Sequence, residues 1–213
     1  ELCSELGVGG VTPSYGLIKK VMDELSIGNC VLIRPRSGNF TYTNEEFDVM
    51  LSDINLCREL GCQGVVTGVL HRDNTIDEAR TAQLMEAAGT MEFIYHRAFD
   101  CAPDPIAAIH TLKRLGVHRI LTSGGKKSAI EGLDLLKELN RIGGRQPTIM
   151  PGGGINAKSI EQIKAAGFTD VHFSGTVFEE LGTTLPFSFK TESFLDESKR
   201  PISNIEVIRG IIG

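Results

Sequence analysis

Residues 94–100 read Ile-Tyr-His-Arg-Ala-Phe-Asp. The stretch opens as an apolar strand, continued backwards through Phe93, and closes in an imidazole, a guanidinium and a carboxylate. Strand-forming runs usually end in turn residues, so reactive side chains at a strand end need a positional reason. The same design recurs at 31–36 (VLIRPR), 119–125 (RILTSGG), 148–155 (TIMPGGGI) and 171–176 (VHFSGT). Each run opens apolar and closes polar or glycine-rich.

Between these runs lie helical patterns at 13–25, 44–60, 76–88, 104–115, 129–140 and 157–166. Thr43 followed by Glu46 has capping-box spacing, Gly61, Gly116 and Gly167 read as stops, and Pro105 suits a first turn. Strands are expected at 1–3, 31–36, 64–70, 92–99, 119–123, 148–150 and 171–174. Strands alternating with helices imply βαβ units and a parallel sheet, and a period of roughly 25–30 residues suits a TIM-type (β/α) barrel. A closed barrel takes eight strands. The sequence starts inside a strand, so the first β-α unit is expected to be absent from its N-terminus, and the strands present become the second to the eighth. On that count PGGGI and SGT follow strands seven and eight, where phosphate often binds in such barrels. LPFSFKTESFLDESKRP at 185–201 reads as a loop before a last helix at 202–212. The expectation is a single (β/α) barrel domain over 1–213 with a C-terminal tail from about 177.

Composition narrows the partners. At 213 residues and 41% hydrophobic content the chain can fill one sizeable core. A net charge of −5 with scattered Lys and Arg lacks the electrostatic footprint of a nucleic-acid or anionic-membrane binder, so neither partner is expected. No apolar run approaches the roughly 18 residues of a membrane span, and ELCSELGVGG at the start has no signal-peptide pattern. A cytoplasmic protein is expected. The five cysteines are odd in number and follow no disulfide framework. Cys57 falls on an apolar helical face, and Cys30 and Cys62 also read as packing residues.

Strand ends in a barrel converge on one mouth where ligands bind. Glu1, Arg34, Arg36, Thr67, His96, Arg97, Asp100, Thr122, Ser123, His172 and Ser174 all belong to such ends. Arg34 and Arg36 alternate across Pro35 and share a face; they suit a carboxylate or phosphate, or else a structural ion pair with Glu1, Asp100 or Glu45. His96 reads as an acid or base oriented by Asp100, with Glu1 a further candidate catalytic group, or equally as a satisfied core histidine. Alternation puts His96 and Arg97 on opposite faces. Ser123, Ser174 and the Gly152-Gly153-Gly154 loop, ahead of a helix beginning near Asn156, complete the expected anion site.

The motifs ELCSELGVGGVTPSYG, IRPRSGNFTYTNEE, GVVTGVL, HRAFD, LTSG and PGGGI, in this order, resemble the CutC family of copper homeostasis proteins. The resemblance runs from Glu1 to about Gly175. It implies a TIM barrel associated with cytoplasmic copper handling, able to bind Cu(I) and tending to form a homo-oligomer. Cys3 matches the family's motif cysteine. Cu(I) prefers thiolate or thioether ligands and accepts imidazole. Cys3 therefore reads either as a ligand or as a small residue at the end of a buried strand, with Cys101 and His172 as lesser metal candidates. Two functions stay open: a copper-binding homeostasis protein, or a barrel enzyme acting on a small anionic metabolite by acid–base chemistry.

Overall fold

The computed structural model describes residues 1–182, 186–188 and 196–213. Five parallel strands lie side by side in chain order: β1 (Cys30–Leu32), β2 (Gly64–Thr67), β3 (Glu92–Tyr95), β4 (Arg119–Thr122) and β5 (Thr148–Pro151). Helices α1 (Tyr15–Glu24), α2 (Asn44–Glu59), α3 (Glu78–Ala88), α4 (Pro105–Leu115), α5 (Leu133–Gly143) and α6 (Ile160–Ala165) fall between or beside them. The row extends by one bridge at each edge. Leu2 pairs in parallel with Val31, and His172 with Gly152. Seven parallel segments therefore run in chain order. Among the described residues no backbone pairing joins the first segment to the last.

The two-residue period of a strand sorts side chains onto two faces. Leu32, Val66, Ile94, Leu121 and Met150, one from each strand, form an interior layer, with Cys3 and Cys30 packed on it. The intervening residues, among them Val31, Val65, Phe93, Tyr95, Ile120 and Ile149, join the buried faces of the helices in the main core. Strands buried on both faces read as continuous apolar runs, which explains VVT at 65–67 and FIY at 93–95.

The local signals act as expected. Thr43 Oγ1 accepts the Glu46 N–H while Glu46 accepts the Thr43 N–H, closing the capping box of α2. Asp104 caps α4, with Pro105 in its first turn, and Gly116 ends that helix in the left-handed conformation. Several boundaries differ from the expected ones, β1 ending at Leu32 and β2 at Thr67 among them. The third strand stops at Tyr95, because His96 Nδ1 accepts the Ala98 N–H at 3.2 Å and bends the chain into a 3₁₀ turn over Arg97–Cys101. Helix α5 starts at Leu133, because the preceding loop packs its backbone on β4: a Cβ on Gly132 would lie 2.0 Å from the Ser123 carbonyl. The loop reading of 185–201 falls mostly outside the described residues, but its end does not hold. Lys199–Ser203 is a strand, β7, paired antiparallel with β6 (Thr176–Glu180), and the last helix, α7 (Ile205–Ile212), is capped by Asn204.

Among the described residues no helix is long and apolar enough to cross a membrane.

Candidate functional site

Above the interior layer, at the C-terminal ends of the strands, lies a cavity of about 570 Å³. Its wall includes Arg34, His96, Arg97, Asp100, Cys101, Gly153, Gly154, His172, Ser174 and Glu1, with Leu32, Phe40, Leu121, Ile155 and Phe173 as its apolar part. Nine of the residues anticipated at strand ends or in the glycine loop thus meet at one place, together with Cys101. The reason is topological, since parallel strands in chain order bring all their C-terminal ends to the same side.

Arg34 follows β1 and is only 6% exposed. Its Nη1 donates to the carbonyls of Val8 and Gly10, both at 2.9 Å, and its Nη2 to that of Gly38 at 2.9 Å. The guanidinium stacks over Phe40, 5.1 Å from the ring centre. Nε has no partner, and no carboxylate pairs with Arg34 among the described residues. Among the described residues Arg34 is thus a fixed buried cation that meets carbonyl dipoles and the Phe40 ring but no carboxylate.

Arg36 has a different fate. It bonds Glu46 through Nε to Oε1 at 2.5 Å and through Nη2 to Oε2 at 3.2 Å, lies over Tyr42, and is not on the cavity wall. Its expected role in anion binding is therefore corrected to a structural ion pair, with Glu46 rather than the anticipated Glu45, Glu1 or Asp100. Sharing a face with Arg34 holds only while the chain is extended, and the chain leaves β1 at Leu32.

His96 is also 6% exposed, and its ring packs on Phe40 with centres 4.8 Å apart. Because Nδ1 accepts the Ala98 N–H, the neutral ring carries its proton on Nε2. That buried N–H has no protein partner among the described residues. Burial, and then the Arg34 charge, push the imidazole pKa down to about 3. Asp100 does not orient this ring. Its carboxylate accepts from Thr122 Oγ1 (2.5 Å), the N–H groups of Ser123 (3.1 Å) and Gly125 (3.0 Å), and Arg97 Nε (2.8 Å). Asp100 therefore ties the 3₁₀ turn to the loop after β4. Ser123 is fully buried in the same knot, accepting from Arg97 Nη2 at 2.8 Å with its Oγ 2.5 Å from the Lys126 carbonyl. It is a support of the wall and has no face on the cavity.

Alternation set His96 and Arg97 on opposite faces, yet both line the cavity, because the turn at His96 ends the two-residue period. Phe40 is a further wall residue that strand-end reasoning missed, since it lies in a loop four residues past Arg36. Gly68 was missed too. A Cβ there would come within 2.8 Å of His96 Nδ1, so this glycine seats the imidazole.

The glycine loop divides. Gly152 belongs to the sheet, donating its N–H to the Thr122 carbonyl at 2.9 Å. Gly153 (φ 102°) and Gly154 (φ 70°) turn the chain at the cavity rim, and their N–H groups meet no protein acceptor among the described residues. The expected helix N-terminus near Asn156 is not there, because α6 begins at Ile160. Ser174 sits on the rim with its Oγ 2.5 Å from Thr176 Oγ1. Glu1 Oε2 lies 3.7 Å from His172 Nδ1, between the first and the last segment of the row. Burial lowers the His172 pKa, against an upward pull from Glu1.

The sulfur atoms are distributed between two levels. Cys3 packs on the interior layer with Cys30, while Cys101 is exposed on the cavity wall. Burial, reinforced by Glu1, raises the Cys3 thiol pKa; burial and then Asp100 raise that of Cys101. Among the described residues no group of three or more His, Cys, Asp or Glu is arranged to hold a metal ion.

Comparison with known proteins agrees with this architecture. The CutC family model matches residues 1–177. A CutC family protein of Pasteurella multocida (strain Pm70) is 44% identical over 176 residues, covering 82% of this chain and 72% of the relative. One from Klebsiella pneumoniae (strain 342) is 45% identical over 174 residues, covering 82% and 70%. The crystal structure of a CutC from Streptococcus agalactiae, named for copper homeostasis, superposes with a TM-score of 0.76 at 37% identity, covering 80% of this chain and 85% of that one. With the match spanning every segment of the parallel row, this chain belongs to the CutC family.

Proposed function

We propose that the working part of this protein is the cavity at the C-terminal mouth of the sheet, and that it binds a small molecule bearing a carboxylate or phosphate group. One observation carries the reading. Arg34 is a buried guanidinium on the cavity wall, fixed by three carbonyls, with no carboxylate partner among the described residues. An uncompensated buried charge is costly, and an anion in the cavity would offset it. His96 serves the same ligand as a neutral Nε2–H donor rather than as a proton acceptor, and the free N–H groups of Gly153 and Gly154 supply the rim. Thermal denaturation with phosphate, sulfate and short carboxylates at constant ionic strength tests this. A rise in Tm that is lost in Arg34→Lys is expected; no rise with any of them refutes the reading.

A second reading is supported by the family relationship, since the Streptococcus agalactiae relative is named for copper homeostasis. Here the protein handles copper in the cytoplasm as a self-associating chain, and Cu(I) is its cargo. Cys3 is the first ligand by thiolate softness, and Cys30 packs on the same interior layer. Cys101 and His172, on the cavity wall, are the alternatives. Competition of reduced protein with a Cu(I) chelator tests this. Loss of binding in Cys3→Ser supports Cys3, and unchanged affinity moves the site to Cys101.

A further inference from the structure

The cavity wall carries two separate sets of hydrogen-bond donors. The first is Arg34 with His96, which share the ring of Phe40. The second lies where Arg97 meets the glycine turn after β5. Arg97 Nε donates to Asp100 and Nη2 to Ser123, each at 2.8 Å, and the two contacts fix the plane of the guanidinium. Its Nη1 has no acceptor among the described residues, and a Cβ on Gly153 would stand 3.6 Å from it. The Gly153 carbonyl accepts the Ala129 N–H at 2.9 Å. Because N–H and C=O point in opposite directions across a planar trans peptide, the Gly154 N–H faces away from that loop. Asp100 is shared rather than reserved for Arg97, since it also accepts from Thr122 Oγ1 and the N–H groups of Ser123 and Gly125. The loop after β4 adds Lys126 and Lys127, both exposed and without an ion pair among the described residues.

Arg34 follows β1 and the glycine turn follows β5, four strand intervals of about 4.8 Å along the row. One carboxylate or phosphate group cannot meet both sets. We propose that the ligand is a phosphorylated carboxylic acid, with its carboxylate at Arg34 and His96 and its phosphoryl group at Arg97 and the Gly153–Gly154 turn. This rests on the anion reading above and deepens it by a second point of contact. Charge and exposure assign the two ends. Arg34 is a single buried cation beside a neutral imidazole, which matches one negative charge; a doubly charged group there would stay partly uncompensated away from water. At the rim the Arg97 side chain is 44% exposed, and donors converge from a guanidinium edge and two peptides. That arrangement suits a tetrahedral group with three acceptor oxygens. Leu32, Leu121, Ile155 and Phe173 on the same wall leave the linking body of the ligand apolar.

Calorimetry on the full chain at constant ionic strength compares 3-phosphonopropionate, 4-phosphonobutyrate and 5-phosphonopentanoate with the matching simple carboxylates and alkylphosphonates. At least one two-headed compound should bind about tenfold more tightly than either of its halves, as expected for a second charge-assisted contact. Arg97→Met should remove that advantage while leaving carboxylate affinity unchanged, with circular dichroism showing that the variant is folded. If Arg97→Met does not fold, Arg97→Lys decides, because it keeps a cation for Asp100 and loses the Nη1 edge; the advantage should shrink there too. Two-headed compounds that bind no more tightly than their carboxylates overturn the proposal and leave the anion reading standing. An advantage that survives at Arg97 unchanged also overturns it, since the phosphoryl group is then held elsewhere. If none of these anions binds, nor phosphate or sulfate, the anion reading fails and this inference with it.

Discussion

Arg36 and Glu46 meet in a two-point ion pair, with Glu46 also closing the capping box of α2 by accepting the Thr43 N–H at 2.9 Å. One carboxylate thus ties the loop after β1 to the start of the next helix. The guanidinium hydrogen bond holds the Glu46 carboxyl below its usual range, followed by that of the Thr43 backbone. A carboxyl with a depressed folded pKa adds stability above its unfolded pKa, and that stability is lost as pH falls through the folded value. Glu46→Gln should therefore lower Tm at pH 7 and have little effect near pH 2. Anion binding in the cavity should be unchanged, because Arg36 is not on its wall.

Removing the Thr43 side chain breaks the other half of the box. Thr43→Ala should cost about 1 kcal/mol in denaturant unfolding, the usual value for a lost N-cap, with Thr43→Ser restoring most of it.

His96 titrates far below its ordinary value because its ring is buried and faces Arg34. The sign follows from linkage. The unfolded chain binds a proton near pH 6.5 that the folded one refuses until about 3, so the contribution of neutral His96 is complete above 6.5 and is lost as pH falls toward 3. His96→Asn keeps an acceptor for the Ala98 N–H and does not titrate. The difference in stability between the two proteins should change between pH 6.5 and 4 in favour of the variant. Parallel pH profiles would place the imidazole in contact with water.

Gly68 has no room for a methyl group: its Cβ would lie 2.8 Å from His96 Nδ1 and 3.0 Å from Tyr95 Cε1. Gly68→Ala should destabilise by about 1–3 kcal/mol, the common cost of overpacking, and should weaken binding of any ligand that uses His96.

If Cu(I) binds through Cys3, its affinity should rise with pH. Burial raises that thiol pKa, so the metal must displace a proton throughout the neutral range. Chelator competition at pH 6.5, 7.5 and 8.5 measures the slope; a flat profile would exclude a thiol ligand.

The order of parallel segments, the capping box at Thr43 and the stop at Gly116 were legible in the sequence, because each rests on interactions within a few residues or on a two-residue period. So was the convergence of strand ends, which follows from parallel order alone. What the sequence could not distinguish is the pair Arg34 and Arg36. They are the same residue type, two positions apart, and one became a buried cation on the cavity wall while the other joined Glu46. The same holds for Asp100, which bonds a loop more than twenty residues away instead of the histidine four residues before it, and for Arg97, brought to the cavity by a turn that one side-chain acceptor creates. Composition and periodicity determined which elements form and which ends they share. Tertiary structure decided which partner each charged group found, because a guanidinium or carboxylate satisfies its hydrogen bonds with whatever acceptors or donors the fold brings within about 3 Å, however distant in sequence.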